Sequence, residues 1–72
     1  MATIELTKVE EHPNSKILFR VRVNVGAGQM EFPIGVEDKG SPMLNEMAVL
    51  RSTLGFAEEL ASSVRLRLGL QP

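Results

Sequence analysis

The sequence predicts an α+β fold of two layers: a three-stranded antiparallel β-meander, order 1-2-3, with one long C-terminal helix packed on one sheet face. Three observations carry this. The first half of the chain alternates apolar and polar residues at period two, in three runs separated by turn residues. From residue 42 onward the apolar spacing switches to threes and fours and holds almost to the end. The length, 72 residues, accommodates one domain, 1–72, and no more.

The first strand is read at residues 3–10, TIELTKVE, with Ile4 and Leu6 on one side and Thr3, Glu5 and Thr7 on the other. EHPNS follows as a turn by composition. Residues 17–25 give the strongest strand pattern, because Phe19, Val21, Val23 and Val25 are aromatic or β-branched at strict period two. After the turn GAG, residues 29–36 alternate again with Met30, Phe32, Ile34 and Val36 inward. Same-face pairing admits a two-residue loop at Gly26-Ala27, Ala27-Gly28 or Gly28-Gln29. The middle choice sets Val25 against Met30, Val23 against Phe32 and Val21 against Ile34. By the same parity, Leu6 opposes Phe19 or Val21, and Glu5 lies across from Arg20 or Arg22 on the outer face. Pro33 cannot donate to a ladder, which puts the third strand at an edge and the second in the centre.

EDKGSP closes the sheet half and opens the helix. Ser41 suits the N-cap, and Pro42 suits the first helical position, where its missing N–H would be unpaired anyway. Met43, Met47, Leu50, Leu54, Ala57, Ala61, Val64 and Leu68 then recur at alternating spacings of four and three, one continuous stripe. Val49, Phe56 and Leu60 widen it on one flank. The segment VRLRLGL also alternates by twos, but Val64 and Leu68 continue the helical phase. Gly69 stands where a left-handed C′ residue is wanted, with Leu70 placed to pack back onto Val64. Arg65 and Arg67 in the last turns favour the helix dipole. The helix is therefore read as 42–68, with Gly55 as its one interior weak point. Its stripe is expected to cover the inner sheet face. At 1.5 Å per residue such a helix is about 40 Å long against about 26 Å for an eight-residue strand, so roughly two turns should overhang.

Composition bounds the function. Without cysteine, disulfides and thiolate zinc sites are excluded, and the only aromatics are Phe19, Phe32 and Phe56. A chain this small buries only about 60% of its unfolded surface, so a thin core makes self-association the expected supplement. Eight basic and nine acidic residues give a net charge of −1, which lacks the basic excess of a nucleic-acid binder. MATIELTKVEE does not read as a signal peptide, and no apolar run is long enough to span a membrane; a cytoplasmic location is the default.

Site chemistry is sparse. The GxG of VGAGQM lies between two strands with no helix after it, so it reads as a hairpin turn and not a phosphate cradle. His12, with Glu10 and Glu11 beside it and Glu37 and Asp38 in a distant loop, reads as an exposed loop histidine; no metal, cofactor or catalytic group is expected, and the chain is not expected to be an enzyme. The favoured expectation is a non-catalytic interaction module that homodimerises, with the overhanging Ala61, Val64, Leu66 and Leu68 as partner-binding residues. Leu66 fits least, since it falls on the polar face between two arginines. The alternative is a nucleic-acid-binding accessory protein using Lys16, Arg20 and Arg22 on the outer sheet face. That face offers no aromatic for base stacking, which disfavours it.

Overall fold

The structure, a computed structural model, describes residues 2–69. Strands β1 (Thr3–His12), β2 (Lys16–Val25) and β3 (Gly28–Glu37) form one antiparallel sheet of order β1-β2-β3, and helix α1 (Pro42–Leu68) follows. Each strand is longer than its alternating pattern, because the turns at both hairpins are tight. His12 pairs with Lys16 across a three-residue loop whose last residue, Ser15, is left-handed (φ 64°). Val25 pairs with Gly28 across Gly26-Ala27, with positive φ at Gly26 (57°) and none at Ala27, the pattern of a type II′ turn.

That turn selects the first of the three admissible loops and so fixes the hairpin register. Val23 opposes Met30, Val21 opposes Phe32 and Phe19 opposes Ile34, a slip of two residues from the Ala27-Gly28 loop. Both registers keep the same residues inward, so the apolar pattern does not distinguish them. The turn does, since glycine at its first position takes up the positive φ without a Cβ clash. On the other side Leu6 opposes Val21 and Glu5 opposes Arg22. The ladder then slips between Lys8 and Glu10, leaving Val9 as an extra residue. Lys8 (opposite Phe19) faces the helix side of the sheet in phase with Ile4 and Leu6, and the bulge resets the alternation so that Glu11 (opposite Ile17) faces that side too.

Helix α1 runs unbroken through Gly55. Ser41 is the N-cap, its Oγ accepting from the Leu44 N–H at 3.3 Å, and Gly69 is left-handed (φ 79°) with its N–H directed to the Arg65 and Leu66 carbonyls. The expected packing of Leu70 on Val64 lies outside the described residues. The buried core is Ile17, Phe19, Val21, Val36 and Val49, with Leu6, Val23, Phe32, Ile34 and Ala48 packed around it. Phe32 and Val23 are therefore rim residues and not the centre. Met30, expected inward, is half exposed.

The largest departure concerns the helix. Its sheet-facing residues are Asn45, Ala48, Val49 and Thr53, with Phe56 stacked on Phe32 at 5.2 Å between ring centroids. The long apolar stripe does not cover the sheet: Met43 is 71% exposed, Leu54 60% and Leu68 68%. At 100° per residue the two faces are turned roughly 130° from each other about the axis. Residues read as a flank of the stripe, Val49 and Phe56, belong to the face that makes the core.

Val21 and Val49 are fully enclosed, so Val21→Ala or Val49→Ala should each cost about 2 kcal/mol, read from the denaturant midpoint. Ser15→Gly should raise stability by up to about 1 kcal/mol by relieving a left-handed backbone in a residue that carries a Cβ. A destabilised Ser15→Gly variant would contradict the loop geometry.

Candidate interaction surface

What turns the stripe away from the sheet is a polar clamp at the start of α1. The Asn45 side chain is buried; its Oδ1 accepts the Lys39 N–H at 2.7 Å and its Nδ2 donates to Asp38 Oδ1 at 3.2 Å. Asp38 Oδ1 also accepts the Gly40 N–H at 2.8 Å, and the Asp38 N–H donates to the Ser15 carbonyl at 2.7 Å. The loop between β3 and α1 is thereby tied to both the helix and the β1–β2 turn. These bonds hold the Asp38 carboxyl below its ordinary value of 3.8, the Gly40 N–H contributing most and Asn45 next. Two turns later Thr53 hides its hydroxyl by donating to the Val49 carbonyl at 2.8 Å. Polar residues thus sit on the buried face with their hydrogen bonds satisfied.

The exposed face of α1 is the opposite in character. Met43, Met47, Leu50, Leu54, Val64 and Leu68 are each at least two-fifths exposed, and Ala57 lies open among them. Of the four residues expected to bind a partner, Val64 and Leu68 lie on this stripe, exposed, and Ala61 lies on it partly buried. Leu66 is 66% exposed but is turned roughly 150° from the stripe, so it is not part of the same surface. Phe56, half exposed against Phe32, is followed by twelve more helical residues, about 18 Å of helix, all of them exposed except the partly buried Ala61. The molecule is correspondingly long, 44 × 24 × 17 Å.

The outer sheet face is charge-paired. Arg22 Nε and Nη2 both donate to Glu31 Oε2 at 2.7 Å, and Glu5 Oε1 lies 3.7 Å from Arg22 Nη1. Gln29 Nε2 donates to Asn24 Oδ1 and Asn24 Nδ2 to Thr3 Oγ1, continuing the cross-strand chain. Lys16 stands between His12 and Glu37 in register, and Arg20 between Thr7 and Pro33. Lys16, Arg20 and Arg22 do share this face, as expected, but carboxylates are interleaved with them.

A cavity of about 360 Å³ lies between β1 and the helix start, lined in part by Leu6, Lys8, Glu11, Phe19, Asp38 and Asn45. Lys8 Nζ donates to Glu11 Oε1 at 2.6 Å on its rim, which raises the Lys8 pKa. His12 Nε2 lies 3.2 Å from Glu10 Oε2. Among the described residues no three His, Asp or Glu side chains converge as a metal site would need, and no helix is long and apolar enough to cross a membrane. Comparison of the chain with protein-family models, with curated proteins and with solved structures finds no match.

Asn45→Ala should cost about 1 kcal/mol, because it removes the acceptor of the partly buried Lys39 N–H and unties Asp38 from the helix. The lowered Asp38 pKa stabilises the fold fully above pH 3.8, and that contribution is lost as pH falls through the lower native value. Asp38→Asn should therefore flatten the stability–pH curve below pH 3.8; an unchanged acid limb would sink the clamp. Glu5→Lys, at an exposed pair, should cost no more than about 1 kcal/mol.

Proposed function

We propose that this chain is a non-catalytic interaction module that works as a homodimer, with the exposed stripe of α1 as its contact surface. The observation that supports it is the position of the stripe: the most apolar face of the helix is the one its own sheet leaves uncovered. Monomeric proteins rarely expose a contiguous apolar surface of this extent. The area agrees. A folded monomer of 7.9 kDa exposes about 4,400 Å², whereas this chain alone exposes 5646 Å². The excess, about 1,200 Å², exceeds the roughly 800 Å² that each partner contributes to an interface of standard size.

Two features favour the helix over the free edge of β1 as the contact. The Val9 bulge disrupts the strand, and the inward-facing Lys8 places a charge on the helix side of that edge. Both are devices that blunt edge-to-edge pairing. Nucleic-acid binding draws less support, since Arg22 is held by two carboxylates on the face it would use.

The test is the oligomeric state by light scattering at micromolar concentration. The wild type should have the mass of a dimer, and Ala61→Glu with Val64→Glu should have the mass of a folded monomer. A proline at Thr7 should leave the dimer intact. A wild type that stays monomeric near millimolar concentration contradicts the proposal.

A further inference from the structure

Resting on that reading, we infer that the two copies of α1 pack antiparallel, with the overhanging half of each helix lying along the sheet-anchored half of the other. The argument comes from which residues each orientation would bring face to face. In a helix pair the eight stripe residues alternate as the two core positions of a heptad. Antiparallel packing joins unlike positions. A two-fold axis passing between Gly55 and Phe56 sets Leu54 opposite Ala57 of the other copy and Leu50 opposite Ala61. Continuing outward, it sets Met47 opposite Val64 and Met43 opposite Leu68, so every stripe residue finds a counterpart. Each alanine then meets a leucine, and large fits against small in both central layers. Parallel packing joins like positions instead. It would stack Ala57 on Ala57 and Ala61 on Ala61 beside two all-leucine layers, an uneven seam.

The charges beside the stripe give an independent reason. In the antiparallel arrangement Arg51 lies across from Glu58 of the other copy on one flank, and Glu46 from Arg67 on the other. The two-fold axis repeats both, giving four opposite-charge contacts and no like-charge one. Parallel packing would bring together only Glu46 and Arg51, twice. The antiparallel geometry also accounts for the overhang. Residues 57–68, beyond the sheet of their own copy, are covered by residues 43–56 of the other.

The chain has no cysteine, so cross-linking by introduced thiols is read without background. Met47→Cys and Val64→Cys are prepared as separate variants, confirmed as dimers by scattering, then mixed, exchanged and oxidised. The expected result is a covalent dimer containing one of each, with little cross-linking in either variant alone. Antiparallel packing holds the two copies of residue 47 about 25 Å apart, far beyond disulfide reach. Efficient cross-linking of Met47→Cys alone would show parallel packing and overturn the inference while leaving the dimer standing. Dimers that cross-link in neither mode would also overturn it. Monomers at the scattering step would instead defeat the proposed function. As a second arm, Arg51→Glu should weaken self-association roughly tenfold, and Glu58→Arg in the same chain should restore it; absence of rescue would count against the orientation.

Discussion

The Asn45 side chain fixes how far α1 is turned about its own axis, and the arrangement of both helix faces follows from that angle. Its amide bridges the Lys39 N–H and the Asp38 carboxylate, and Asp38 in turn holds the Ser15 carbonyl at the far hairpin. Asn45 is itself buried, and it cannot rotate outward without breaking both of these hydrogen bonds. With Asn45 inward, Val49 and Thr53 must follow it, one turn at a time, onto Phe19, Val36 and their neighbours. The methionines and leucines are left pointing away. A helix turned the other way would bury the stripe and expose a small polar face, and the clamp would have to break.

The cost of that orientation is apolar surface in water, the surface that the proposed dimer would cover. The core of one copy is small: five buried apolar residues hold the sheet to the helix. Sheet and helix meet only over the first half of α1. The second half has no sheet beneath it, and its capping at Gly69 and its last-turn arginines are the local devices that hold it helical. In the proposed dimer that half stacks on another copy and lengthens the effective core, a recourse open to chains too short to bury enough by themselves.

Much of this was legible in the sequence. The three strands, their order, the central place of β2, the edge place of β3 imposed by Pro33, and a helix bounded by Ser41 and Gly69 all follow from period and punctuation. The register between β2 and β3 was legible only to within two residues, because parity is blind to such a slip and three loops satisfied it. The rotation of the helix was misread for a physical reason. Apolar content points to the stripe as the inner face, yet Asn45 and Thr53 are acceptable inside once their hydrogen bonds close locally. The available signal was an asparagine in the first turns of a helix, seven residues after an aspartate in a glycine-containing loop. The bulge at Val9 leaves no mark in the sequence, and the inward placement of Glu11 goes with it, whereas that of Lys8 follows from the period of Ile4 and Leu6. Of the four residues read as a candidate surface, Ala61, Val64 and Leu68 lie on the stripe turned away from the sheet, and Leu66 lies off it.

The central claim is that the stripe contacts a second copy and not its own sheet. Isotope-filtered nuclear Overhauser spectroscopy on a mixture of labelled and unlabelled protein measures that difference directly. The account predicts cross-peaks between copies from the Leu50 and Leu54 methyl groups, and none from these methyls to Phe19 or Val21 of the same chain. Cross-peaks from Leu50 and Leu54 to Phe19 and Val21 within one chain, with no transfer between copies, would contradict it.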